Sequence, residues 1–135
     1  MIKEHKKVNG EVKKEPVSAR AVGMEREKMA CRYLEERGVR IKERNFRCRQ
    51  GEIDLIGYDG EYLVFFEVKY RKAASKGSAS EAVDSRKQKK ICRVSDYYRM
   101  IHNCPSDTAI RYDVIAIDGE QVNWIRNAFY YCGMQ

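Results

Sequence analysis

Apolar and polar positions alternate along this chain with two different periods, and each period predicts a different kind of element. Over residues 23–37 the apolar positions Ala30, Tyr33 and Leu34 fall three and four apart, the spacing of one helix face. Gly38 follows where a left-handed C-cap belongs, so a helix is expected there. "VRIKERNFR" (39–47) reads as an edge-like strand that carries charge. "GEIDLIGYDGEYLVFFEVKYR" (51–71) reads as two strands joined by a tight turn at Asp59-Gly60. A Ser/Gly/Lys loop, "KAASKGSAS", leads to a long helix that starts between Ser80 and Asp84 and runs to about His102, with Ile91, Val94, Tyr98 and Ile101 as its apolar seam. "AIRYDVIAID" (109–118), a turn at Asp118-Gly119 and "QVNWIRNAFYY" (121–131) read as a strand and a second strand pairing back on it. The order is helix, three strands, helix, one or two strands, which is an α/β domain over residues 23–135. Residues 1–22 mix Lys and Glu around Pro16 without apolar periodicity, and are expected to form a flexible extension.

The hairpin raises a chemical question, because Asp54, Glu67 and Lys69 lie inside its apolar runs. With a two-residue turn at Asp59-Gly60, Tyr58 faces Glu61 and Asp54 falls across from Phe65. Alternation then gives Ile53, Leu55, Val64, Phe66 and Val68 one face, and Asp54, Glu67 and Lys69 the other. Glu67 becomes the diagonal neighbour of Asp54, ~7–8 Å away at Cα, close enough for both carboxylates to reach one small cation. On the first helix Glu27 shares the stripe of Ala30 and Leu34 and is expected to point at the sheet. Burying a carboxylate is costly unless it finds a partner, and three converging carboxylates repel one another, so the pattern favours a divalent metal. Oxygen-only ligands suit Mg2+ or Mn2+. The competing reading is that Glu-x-Lys alternation merely keeps the wet face of an antiparallel strand soluble. What favours chemistry is the conjunction of Asp54 at matching parity, the Glu-x-Lys pair and a helical Glu on the inward stripe.

Composition narrows the partners. With 135 residues, 43% of them hydrophobic, the chain fits one domain with one core. Its 27 Lys and Arg against 20 Asp and Glu leave a net charge of +7, with a pI near 9.2, which favours polyanions. The first residues lack the apolar run of a secretory signal, and no segment approaches bilayer length; a cytoplasmic protein without a membrane partner is expected. Five cysteines, widely spaced and free of C-x-x-C pairs, argue for reduced thiols rather than a disulfide frame or zinc knot. His102 with Cys104 is too sparse a ligand set to count as a metal signal.

"GEIDLI", "FFEVKYR" and the upstream Met24-Glu25-Arg26-Glu27 stretch resemble the bacterial YraN-type proteins of the PD-(D/E)XK nuclease superfamily, relatives of archaeal Holliday junction resolvases. The resemblance runs from about Gly23 to at least Ile117 and takes in "NFR" (45–47), "EAVDSRKQKK" (81–90) and "RYDVIAI" (111–117). Arg26 stands where a glycine is usual before the helical Glu, and Tyr70 where a small polar residue is common after the lysine. The resemblance implies a restriction-endonuclease-like αβββαβ core, a mixed four- to five-stranded sheet flanked by helices. It places Asp54 and Glu67 at the metal-ligand positions, Lys69 at the catalytic lysine and Glu27 at the accessory carboxylate. It also implies Mg2+- or Mn2+-dependent hydrolysis of DNA, with selectivity for branches, flaps or ends, since no feature reads base identity. The basic run Arg86, Lys87, Lys89, Lys90 and Arg93 begins the second helix, near the loop that opens with Arg71 and Lys72; it could track phosphates or touch the active site through Lys87 and Gln88, the competing reading being a solvated helix face. Glu52 is open to two readings, support for the metal shell or simple solvation. Two further readings stand beside the enzyme: a silent nucleic-acid-binding protein or subunit on the same scaffold, and an adaptor using exposed aromatics such as "AFYY". Tyr97 and Tyr98 could serve a homodimer face, although core packing explains Tyr98 as well.

Overall fold

Ser18 starts the first helix. Its hydroxyl accepts from the Ala21 N–H at 3.1 Å, and α1 (Ala19–Glu36) follows, four residues earlier than the apolar periodicity predicts. In the computed structural model, the described residues are 7–8, 11–12, 18–71 and 83–133. Within the segment expected to be an extension, β1 (Lys7–Val8) and β2 (Glu11–Val12) pair antiparallel as a small sheet of their own. Gly38, at φ +90°, ends α1 as the sequence predicts, because a left-handed backbone there is free of strain only without a Cβ.

The main sheet has five strands in the order β3 (Arg40–Cys48), β4 (Gly51–Asp59), β5 (Tyr62–Arg71), β6 (Ile110–Asp118) and β7 (Gln121–Phe129). Neighbours pair antiparallel except β5 and β6, which run parallel and are joined by a crossover through α2 (Ser85–Ile101). Here is the mixed sheet of an α/β fold, compatible with a restriction-endonuclease-like core. The predicted loop over 72–80 lies outside the described residues.

Both faces of the sheet are covered. Ala30, Cys31 and Leu34 of α1 pack on Leu55, Val64, Phe66, Ile115 and Ile117. Ile91, Cys92, Val94 and Tyr98 of α2 pack on Ile56, Leu63, Phe65, Tyr112 and Val114. Burial on two faces is why β6 reads as an almost unbroken apolar run, and each fully buried Leu, Ile or Phe contributes about 1.5–3 kcal/mol. Ile101, expected to finish the α2 seam, is instead exposed, and the inner face is completed by Ser95, whose hydroxyl lies 2.6 Å from that of Tyr112.

Two corrections to the hairpin bear on the site. Asp59 stays in the ladder opposite Tyr62, so the turn is Gly60-Glu61, with Gly60 alone at positive φ (+61°). The cause is tertiary: the Asp59 carboxylate is held by Arg111 Nη2 at 2.7 Å on β6. The second correction concerns Ile53, expected on the face of Leu55. It joins the α2-side cluster instead, because the β3–β4 ladder passes from Arg44↔Leu55 to Phe46↔Ile53 with Asn45 left-handed between them (φ +51°). Asp54 sits at that twist.

Candidate functional site

The site lies where β4 and β5 stop pairing. Their ladder ends at Leu55↔Phe66, and one further step sets Asp54 level with Glu67 rather than diagonal to it, as the shifted turn requires. Beyond that point the Asp54 side chain continues the pairing, since its Oδ2 accepts the Val68 N–H at 2.8 Å. Glu67 shares the parity of Phe65 and is buried on the α2 side of the sheet. The two carboxyl groups are therefore neighbours in a dry place, and the sequence signal of charges embedded in apolar strands is explained.

Electrostatics follow from that neighbourhood. Burial, the charge of Glu67 and a hydrogen bond with Glu67 push the Asp54 carboxyl up to about 8, against the pull of the Val68 N–H and with a further push from Glu27. Near neutral pH the pair thus holds a proton between its oxygens, as close carboxylates do when no cation separates them. Two ammonium groups face Glu67 from different elements: Lys87 Nζ of α2 is 3.1 Å from Oε2, and Lys69 Nζ of β5 is 3.8 Å away. Burial alone would lower the Lys87 pKa, but the carboxylates of Glu67 and Asp54 outweigh it and hold the ammonium above its ordinary value.

Lys87 is placed by the start of its helix. Asp84 caps α2 by accepting the Lys87 N–H at 2.8 Å, which fixes the first turn over the end of β5. Gln88, expected to reach toward substrate, donates its side-chain amide to the Val83 carbonyl at 2.9 Å and so braces the same turn. Lys90 is exposed on α2 together with Arg86, Lys89 and Arg93. Arg71 ends β5, and Lys72 lies outside the described residues. Glu52, across from Arg47 in the β3–β4 ladder, forms an exposed ion pair with it at 2.9 Å, which favours the solvated reading of that residue.

Glu27 does not close on the pair. It belongs to α1, which covers the opposite face, and it acts on Asp54 through its charge. Among the described residues no three His, Cys, Asp or Glu side chains stand close enough together to hold a metal ion. The structure therefore assembles Asp54, Glu67, Lys69 and Lys87, with Glu27 standing off. The donor set still fits a hard cation: two oxygen ligands side by side, whose mutual repulsion a dication would relieve, and a third carboxylate near enough to be felt.

A second charged cluster went unrecognised as such in the sequence, where Arg111 and Asp113 figured only within a motif. Asp113 is completely buried in β6 and accepts four groups: Arg111 Nε (2.9 Å) and Nη2 (2.8 Å), Trp124 Nε1 (2.9 Å) and the Asn127 N–H (2.8 Å). Arg111 spans from it to Asp59. With every oxygen satisfied, the cluster is a clasp rather than a reactive site. Its only sequence signal was an Arg-x-Asp at the head of an apolar strand.

Comparison with known proteins bears on the whole domain. The model of the family described as "Uncharacterised protein family UPF0102" matches residues 26–117, which include Glu27, Asp54, Glu67, Lys69 and Lys87. A UPF0102 protein of Aeromonas hydrophila is 46% identical over 113 residues, covering 83% of this chain and 87% of that protein. One of Herminiimonas arsenicoxydans is 43% identical over 116 residues (85% and 92%), and one of Lachnoclostridium phytofermentans 42% over 107 (79% and 91%).

Proposed function

The chain belongs to the UPF0102 (YraN-type) family, a PD-(D/E)XK nuclease-like family, and from that premise we propose that it hydrolyses DNA phosphodiesters with Mg2+ or Mn2+ in the cytoplasm, selecting structured DNA. The observation that carries this reading is the buried Asp54–Glu67 pair with Lys69 and Lys87 beside it. Asp54 and Glu67, with Glu27 drawn in, would hold the cation, which when bound supplies an acidified water and neutralises charge on the scissile phosphate. Ionised to hold the cation, with its shared proton released to solvent, Asp54 would be kept in orientation by the Val68 N–H that its Oδ2 already accepts. Lys69 and Lys87 leave Glu67 to face the phosphate, each as a compact point charge suited to a pentavalent oxyanion. The basic face of α2, with Lys90 at its surface, follows the backbone away from the cut.

The second reading, a protein on this scaffold that binds DNA without cutting it, draws its support from Glu27 standing clear of the pair. A cleavage assay separates the two. Duplex, flapped and four-way DNA are incubated with Mg2+ or Mn2+ and the parent protein, Asp54→Asn or Lys69→Ala. Hydrolysis is expected from the parent, with a loss of at least about 100-fold in either variant. Intact substrates in all three lanes, with equal binding, favour the silent scaffold; equal cutting by all three assigns the activity elsewhere.

A further inference from the structure

Away from the carboxylate pair, the C-terminal tail brings two sulfur atoms together. Cys92 lies fully buried on the inner seam of α2, and its Sγ is 3.7 Å from the Sγ of Cys132. The Cys132 backbone N–H also donates to Cys92 Sγ at 3.3 Å, so the backbone as well as the thiol is positioned. The chain is fixed as it leaves β7: Phe129 stacks on Tyr112 of β6 with ring centroids 5.1 Å apart, and the Tyr131 hydroxyl donates to Asp96 Oδ2 of α2 at 2.8 Å. Cys31 and Cys48 direct their thiols at Glu35 and Gln50 instead.

We propose that Cys92 and Cys132 form an oxidation site at which a hydroperoxide closes an intramolecular disulfide between α2 and the C-terminal tail. A bonded pair stands at about 2.05 Å, so closure asks for a movement of less than ~2 Å, within reach of two side-chain rotations. Cys132 is partly exposed and meets the oxidant; Cys92 is sealed in the core and does not. In the first step the Cys132 sulfur attacks the terminal peroxide oxygen. The S–O bond forms, the O–O bond breaks, and the departing oxygen takes up the thiol proton as water or an alcohol. In the second step the Cys92 sulfur attacks Cys132, the S–O bond breaks, and the leaving hydroxide takes the Cys92 proton to become water. Two thiols lose two electrons and the hydroperoxide gains them. Burial pushes the Cys92 thiol up to about 11, so it is not the sulfur that meets the oxidant first; its place 3.7 Å from Cys132 Sγ is what makes it the resolving partner. The site is independent of DNA hydrolysis, and its product ties the exit of β7 to the helix that carries Lys87.

The full chain is treated with hydrogen peroxide, alkylated under denaturing conditions and mapped without reduction. The expected product is a monomer about 2 Da lighter, with Cys92 and Cys132 protected and joined while Cys31, Cys48 and Cys104 still alkylate. It melts several degrees higher than the untreated protein and reverts with dithiothreitol. In Cys92→Ser, Cys132 stops at a sulfenic acid that dimedone traps; in Cys132→Ser, Cys92 stays a free thiol. A dominant pairing through any other cysteine, a covalent dimer, or Cys132 passing to sulfinic acid while Cys92 alkylates would overturn the proposal. The parent measurement stands even where a variant folds poorly.

Discussion

Asp54 is where one residue decides the chemistry. Its carboxyl is neutral when folded at pH 7 and ionised when unfolded, because its folded pKa is raised from 3.8 to about 8. The sign follows: the folded state binds the extra proton between those values, so stability is greatest below the unfolded pKa and is lost as pH rises through the folded one. In chelator-treated protein, Asp54→Asn removes that loss and keeps an acceptor for Val68. Its stability gain over the parent, from urea unfolding, is expected to widen from pH 4 to 8 by up to about 1.4 kcal/mol per pH unit, then level off. A constant gap would mean that the carboxyl titrates normally. Asp54, Glu67 and Lys69 were legible in sequence, because charges inside apolar strands need a reason. Lys87 was legible as one cation of a basic run that could reach the active site together with Gln88, but not as the partner of Glu67. What separates it from Lys90 is the Asp84 cap, which turns Lys87 toward Glu67.

Among the elements, the β4–β5 hairpin teaches most. Its strands followed from alternation, and so did the parity of their side chains except at Ile53, so Glu67 fell on the face away from Leu55, Val64 and Phe66. The register did not follow, since Asp59-Gly60 has good turn chemistry locally and yields only because Arg111 holds Asp59 in the strand. The same cluster makes Asp113 the brace of β6 and β7, together with Trp124 and Asn127. Asp113→Ala leaves the Trp124 indole N–H and the Asn127 N–H unpaired and takes from the Arg111 guanidinium one of its two carboxylates, Asp59 remaining as the other. It is expected to destabilise the protein by about 3–5 kcal/mol in urea unfolding, whereas removal of the exposed Glu52 partner of Arg47 changes stability by less than about 1 kcal/mol. Similar effects from both would deny the cluster its structural role.

At the scale of the whole molecule, the net charge of +7 and the exposed cations of α2 set the expected behaviour toward polyanions. Anisotropy of labelled duplex DNA over a salt series, with chelator present, should give a log–log slope that falls in magnitude by about 1 in Lys90→Ala. An unchanged slope would put the α2 surface outside the footprint. Among the described residues no helix is long and apolar enough to cross a membrane. Sequence alone determined the alternation of helices and strands, the side of the hairpin on which charge lies and the excess of cations, since these are local or additive properties. Tertiary structure decided the remainder: the slipped turn, the switch of Ile53 to the α2 face, the approach of Lys87, the distance of Glu27 and the meeting of Cys92 with Cys132. Each depends on groups distant in the chain competing for the same partner, and no local period records which of them wins.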